Sequence, residues 1–159
     1  MPPHVAIAKE MKPMKEGEKA RKDLADMQAN LQRLEHGPRV LIIDDCMEDC
    51  VLLRMALEAA LPVVKVDFAH SKWEANHHCE RGRYDVIFLD LLFPRDSGLD
   101  IMRNSKCVGK GALLILVTGL EDDSALVKEA IASGAILFSK PISRDKINLV
   151  FRSTPHGKT

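Results

Sequence analysis

Four short stretches of this 159-residue chain place oxygen- or nitrogen-bearing side chains directly after apolar runs. Asp44-Asp45 follows Val40–Ile43, Asp90 follows Val86–Leu89, Thr118-Gly119 follows Leu113–Val117, and Ser139-Lys140-Pro141 follows Ile136–Phe138. If each run is a strand of one parallel sheet, its polar sequel lies at the sheet's carboxyl edge, where open α/β sheets bind ligands. Three carboxylates, a hydroxyl and an ammonium then converge there. Carboxylates brought within a few ångströms repel one another and raise at least one pKa unless a cation sits among them. Mg2+ answers this need, because it prefers oxygen and takes one or two carboxylates together with phosphate oxygens. An acidic cluster with Lys140 and Thr118 therefore points to phosphoryl chemistry. In that frame Asp90 is the nucleophile, on which an aspartyl phosphate forms. Lys140 and the metal neutralise phosphoryl charge, and the Thr118 hydroxyl and nearby backbone amides donate to its oxygens.

The elements that must position these groups are legible from residue 39 onward. Strands are expected at Val40–Ile43, Val63–Phe68, Val86–Leu89, Leu113–Val117 and Ile136–Phe138, with helices at about 47–60, 71–81, 98–105, 121–133 and 143–152. Strands apolar at nearly every residue imply a sheet covered on both faces, and strict alternation with helices implies parallel strands with right-handed crossovers. The expectation is a doubly wound (βα)5 domain over residues 39–153, followed by a tail at 154–159. Residues 1–38 read as an appendage. Within it Ala20, Leu24, Met27, Leu31 and Leu34 form one apolar stripe on a helix over about 17–35, which Gly37-Pro38 ends. That stripe packs on the main domain, stays solvated, or pairs two copies as a homodimer.

Composition excludes several classes. The 46% hydrophobic content supplies one sizeable core, and 23 basic against 23 acidic residues leave no global field for binding nucleic acid or membrane. No apolar run approaches the roughly 18–20 residues of a membrane span. Cys46, Cys50, Cys79 and Cys107 do not suggest a disulfide scaffold; free thiols in a reducing, cytoplasmic setting are expected. Glu48 and Asp49 are expected only to complement the positive end of their helix, and Trp73 to pack.

These segments resemble the receiver domain of two-component response regulators. The motifs are Val40-Leu-Ile-Ile-Asp-Asp45, Asp90-Leu-Leu-Phe-Pro-Arg-Asp-Ser-Gly98, Val117-Thr-Gly119, and Ser133-Gly-Ala135 leading to Lys140-Pro141. The resemblance implies a flavodoxin-like sheet of strand order 2-1-3-4-5 and phosphorylation of Asp90 by a histidine kinase or histidine phosphotransfer protein. It implies Mg2+ held by Asp44, Asp45, Asp90 and the backbone carbonyl of Leu92, with Thr118 and Lys140 contacting the phosphoryl group. It further implies a cis bond before Pro141, while Gly98 permits the tight turn into the following helix.

Two features depart from that family. An aromatic switch residue is usual three positions before the lysine, where this chain has Leu137, with Phe138 next to it; either the strand is shifted by one residue or the switch is missing. Leu92 and Leu120 replace polar residues that admit the attacking water, so slow autodephosphorylation is expected. The chain reads as a stand-alone phosphoacceptor switch without a DNA-binding or effector domain, signalling through the face of the fourth and fifth helices and the fifth strand. The rival readings are a phosphorylation-independent scaffold and a phosphatase using Asp90. Against the phosphatase stands Leu92, where such enzymes place a second aspartate.

Overall fold

The computed structural model describes residues 6–7, 21–22, 24–25, 37–93, 97–121 and 123–151. In chain order the elements are β1 (Ala6–Ile7), β2 (Arg39–Ile43), α1 (Met47–Ala60), β3 (Lys65–Ala69), α2 (Lys72–Arg81), β4 (Val86–Asp90), α3 (Gly98–Asn104), β5 (Leu113–Thr118), α4 (Ala125–Ala132), β6 (Ile136–Ser139) and α5 (Arg144–Phe151). All pairings in the sheet are parallel, in the order β1-β6-β5-β4-β2-β3. Counted over the five repeating units, this is 2-1-3-4-5.

Period-two alternation divides the strands between two cores. Leu41, Ile43, Ile87, Leu89, Leu116 and Leu137 point to the side packed by α2, α3 and α4, where Cys79, Ile101 and Val127 meet them. Val40, Ile42, Phe88, Ile115, Val117 and Phe138 point to the other side, against Leu53 and Leu57 of α1 and Ile147 and Val150 of α5. Both faces are covered, so β4 and β5 are buried at every residue. Serine hydroxyls begin four helices by accepting from orphan backbone N–H groups: Ser71 from Glu74, Ser97 from Asp100, Ser124 from Val127 and Ser143 from Lys146.

Several expectations need correction. β3 starts at Lys65 rather than Val63, because the Lys65 N–H reaches the Pro38 carbonyl (3.0 Å) while Val63 stays exposed. The N-terminal segment is not only an appendage: Ala6 and Ile7 pair with Ile136 and Leu137, adding a sixth strand beside β6. Most of the stripe expected at 17–35 lies outside the described residues. Arg21, Lys22, Leu24 and Ala25 are helical, and Leu24 is buried in the α1–α5 core.

Cys79 and Cys107 are disulfide-bonded, not free. They are 28 residues apart in sequence, but the end of α2 and the segment after α3 pack on the same sheet face and bring both into one core. Trp73 is 71% exposed and stacks on His77. The buried stripe of α2 runs through Ala75 and Cys79, which turns positions 73 and 77 outward.

Candidate functional site

The carboxyl ends of β2, β4, β5 and β6 carry Asp44, Asp90, Thr118 and Lys140, and the sheet register brings them together. Ile43 pairs with Leu89, Asp90 with Val117, and Thr118 with Ser139. Backbone bonds continue the ladder past the strands: Asp44 N–H to the Ala69 carbonyl (3.0 Å), Leu91 N–H to Val117 (2.8 Å) and Lys140 N–H to Thr118 (2.7 Å). Asp44, Asp90 and Thr118 are the buried polar side chains among the described residues.

One carboxylate oxygen from each of Asp44, Asp45 and Asp90 lies within 4.8 Å of the others. Asp45 is the exposed member and Asp44 and Asp90 the buried ones. Each buried acid commits an oxygen to a local turn: Asp44 Oδ1 accepts from Cys46 N–H (2.9 Å), and Asp90 Oδ1 from Leu92 N–H (3.1 Å). Their other oxygens receive the Lys140 ammonium, at 2.9 Å for Asp44 Oδ2 and 3.4 Å for Asp90 Oδ2. Thr118 Oγ1 accepts from Leu120 N–H (2.9 Å). The peptide bond between Lys140 and Pro141 is cis.

Burial is the main force raising the Asp90 carboxyl to about 6; the Leu92 N–H lowers it, the Asp44 charge raises it and Lys140 lowers it. Burial disfavours the Lys140 ammonium, but hydrogen bonds to Asp49 and Asp44 and the Asp90 charge outweigh it and hold this group above its ordinary value. A buried carboxylate pair that needs an ammonium between them is an arrangement that attracts cations.

Gly98 opens α3 directly against the Asp90–Leu91 backbone. Its N–H donates to the Leu91 carbonyl (2.8 Å), and a Cβ at this position would fall on the Asp90 carbonyl oxygen and 2.8 Å from Leu91 Cα. The requirement here is close approach. Leu92 stands outward, 53% exposed, in an isolated bridge with Ser97; residues 94–96 lie outside the described set.

β6 is not shifted by a residue. Leu137 lies in the core under α4, and Phe138 is fully buried on the opposite, α1–α5 side. The aromatic ring is therefore absent from the face on which a switch residue would stand.

Three features beside the site emerge only from the fold. Asp49 Oδ2 accepts from Lys140 Nζ at 2.8 Å, so it does more than complement a helix end. His70 Nδ1 lies 3.0 Å from the Asp44 carbonyl. A cavity of about 290 Å³ opens beside Asp44, Asp49, Asp90 and Lys140, with Leu52, Pro141 and Ile142 among its apolar lining. Burial, and then the Asp44 charge, raise the thiol of Cys50 to about 12. Among the described residues the Asp44–Asp45–Asp90 trio is the one cluster suited to a metal.

Comparison with known proteins gives a consistent picture. The family model for the response regulator receiver domain matches residues 40–152. The chain is 30% identical over 114 residues to the cyclic di-GMP phosphodiesterase response regulator RpfG of Xanthomonas campestris pv. campestris (strain 8004), covering 70% of this chain and 30% of that protein. It is 32% identical over 82 residues to the probable transcriptional regulatory protein SilR of Salmonella typhimurium, covering 52% of this chain and 35% of that one. The chain thus spans about a third of the length of these relatives. Among solved structures, a response regulator protein from Burkholderia pseudomallei with a phosphorylated aspartic acid, calcium ion and citrate superposes with a TM-score of 0.61 at 26% identity, over 73% of this chain and 67% of that one. A response regulator receiver domain protein from Clostridium thermocellum gives 0.61 at 26% identity, over 76% and 96%.

Proposed function

We propose that this chain, which belongs to the response regulator receiver family, accepts a phosphoryl group on Asp90 from a histidine kinase or histidine phosphotransfer protein. The observation that carries this reading is the Lys140 ammonium set between the buried carboxylates of Asp44 and Asp90. On this reading the chain is a phosphoacceptor switch. In the transfer an Asp90 carboxylate oxygen attacks phosphorus, the P–N bond of a phosphohistidine breaks, and the freed imidazole takes the electron pair. Lys140 neutralises charge on the phosphoryl oxygens, and the Thr118 hydroxyl, with nearby backbone N–H groups, donates to them.

The donor set fits Mg2+: three hard carboxylate oxygens within 4.8 Å, two of them on buried acids whose repulsion a divalent cation relieves. Asp44, Asp45 and Asp90, with the backbone carbonyl of Leu92, are the residues we assign to it. When bound, the ion supplies positive charge to the phosphoryl oxygens.

The raised pKa of Asp90 fixes a pH dependence. Its ionised form is disfavoured in the fold, so stability falls as pH rises from the ordinary carboxylate range to about 6 and then levels off. A cation needs that ionised form. Stabilisation of the protein by Mg2+ is therefore expected to shrink as pH is lowered through about 6, and melting curves with and without Mg2+ across this range check it.

Output is assigned to protein–protein contact at α4, β6 and α5. Leu137 stands on the α4 face, and a backbone bond joins Thr118 to Lys140, the two residues we assign to the phosphoryl group. A cytoplasmic setting goes with this reading. Leu92 and Leu120, flanking the site without a polar group to orient water, support a long-lived phosphoryl group. The isolated protein with Mg2+ is expected to hold it for hours; decay within seconds, followed by mass spectrometry, would refute that expectation. The test of the whole reading is phosphorylation by acetyl phosphate, which a phosphorylation-independent scaffold would not undergo.

A further inference from the structure

Lys140 Nζ has three carboxylate partners, and the shortest contact is to the one outside the metal-suited trio: Asp49 Oδ2 at 2.8 Å, against 2.9 Å for Asp44 and 3.4 Å for Asp90. Asp49 stands on the first turn of α1, at the rim of the cavity that Asp44, Asp90 and Lys140 also line. Its side chain is 38% exposed, whereas those of Asp44 and Asp90 are nearly closed to solvent. A divalent cation and the ammonium would compete for the carboxylates of Asp44 and Asp90 and would repel each other there. An ammonium driven from both buried acids without another partner would be left partly buried and unpaired, a costly state.

We propose that Asp49 is a positioning residue for Lys140. It offers the ammonium a carboxylate outside the trio, so that a cation can enter among Asp44, Asp45 and Asp90 while Lys140 stays paired and within reach of the phosphoryl group. The inference rests on the phosphoacceptor reading, in which the trio holds Mg2+ and Lys140 meets the phosphoryl group. It deepens that reading by assigning a fourth acid to the site.

A double-mutant cycle on the full chain separates this role from that of a nearby negative charge. Mg2+ affinity is measured by calorimetry and by the shift of the melting midpoint for the wild type, Asp49→Asn, Lys140→Ala and the double variant. Asp49→Asn is expected to weaken Mg2+ binding about tenfold when Lys140 is present and less than about twofold in the Lys140→Ala background. Asp49→Glu, which keeps the charge, is expected to stay within about threefold of the wild type. Equal weakening in both backgrounds, or none in either, overturns the inference. If Lys140→Ala does not fold, Lys140→Met takes its place in the cycle. A wild-type protein that binds no Mg2+ would overturn the phosphoacceptor reading along with it, whereas normal wild-type binding with an unaffected Asp49→Asn removes only the role of Asp49.

Discussion

Replacing Gly98 by alanine is expected to cost the fold about 3 kcal/mol and to impair phosphoryl acceptance as well. The added Cβ would meet the Asp90 carbonyl oxygen and come within 2.8 Å of Leu91 Cα and 3.0 Å of the Asp90 carbonyl carbon. All of these are backbone atoms, so no side chain can turn aside to make room. The backbone at Asp90–Leu91 or at Gly98 must move, and with it the Asp90 carboxylate and the Gly98 N–H bond to Leu91. Gly109→Ala is the control. That residue has φ of +82° but nothing within 4 Å of a new Cβ, so it carries backbone strain alone, worth about 1 kcal/mol. Urea denaturation of the two variants checks the difference. Equal costs would mean that the close approach beneath Asp90 is not what glycine is needed for.

Asp90→Asn is expected to remove phosphoryl acceptance completely while leaving the fold as stable as the wild type or more so. The two halves follow from one fact. Burial and the neighbouring Asp44 charge hold the Asp90 carboxyl near 6, so at pH 8 its ionised form opposes folding. A neutral isostere keeps an oxygen for the Leu92 N–H and relieves the repulsion with Asp44, for a gain of about 2 kcal/mol in the absence of metal. The loss of the Lys140 contact, the longest of its three at 3.4 Å, offsets part of this gain. The nucleophilic oxygen pair of Asp90 is gone. A stable, fully folded Asp90→Asn that takes up no phosphoryl group would separate chemistry from folding. Marked destabilisation at pH 8 would mean that the carboxylate is held more favourably than burial and repulsion imply.

Much of this site was legible because the chain repeats one rule: an apolar run, then a polar residue at its carboxyl end. Parallel strands with both faces covered must be apolar throughout, which made β2, β4, β5 and β6 easy to delimit and fixed where Asp44, Asp90, Thr118 and Lys140 would meet. The edge was harder. β3 is covered on one side and only half-buried along most of its length, so Val63 looked like strand when it is an exposed approach to it. β1 is two residues long and forms only because β6 offers an open edge, a partner that no local pattern announces. Cys79 and Cys107 likewise owe their bond to the packing of α2 beside α3. Asp49 was read as a helix-end charge because only the fold reveals that Lys140, 91 residues later, reaches back to it. For Phe138 the sequence left two registers open, and facing across the sheet decided between them.

The central claim is that Asp90 is the phosphoacceptor of a cation-assisted receiver site. Its most direct test is to incubate the full chain with acetyl phosphate, with Mg2+ and with chelator, and to locate any added phosphoryl group by peptide mass spectrometry. The account predicts one phosphoryl group per chain, on Asp90, formed with Mg2+ and absent with chelator. A modified residue other than Asp90, or no modification under either condition, would contradict it.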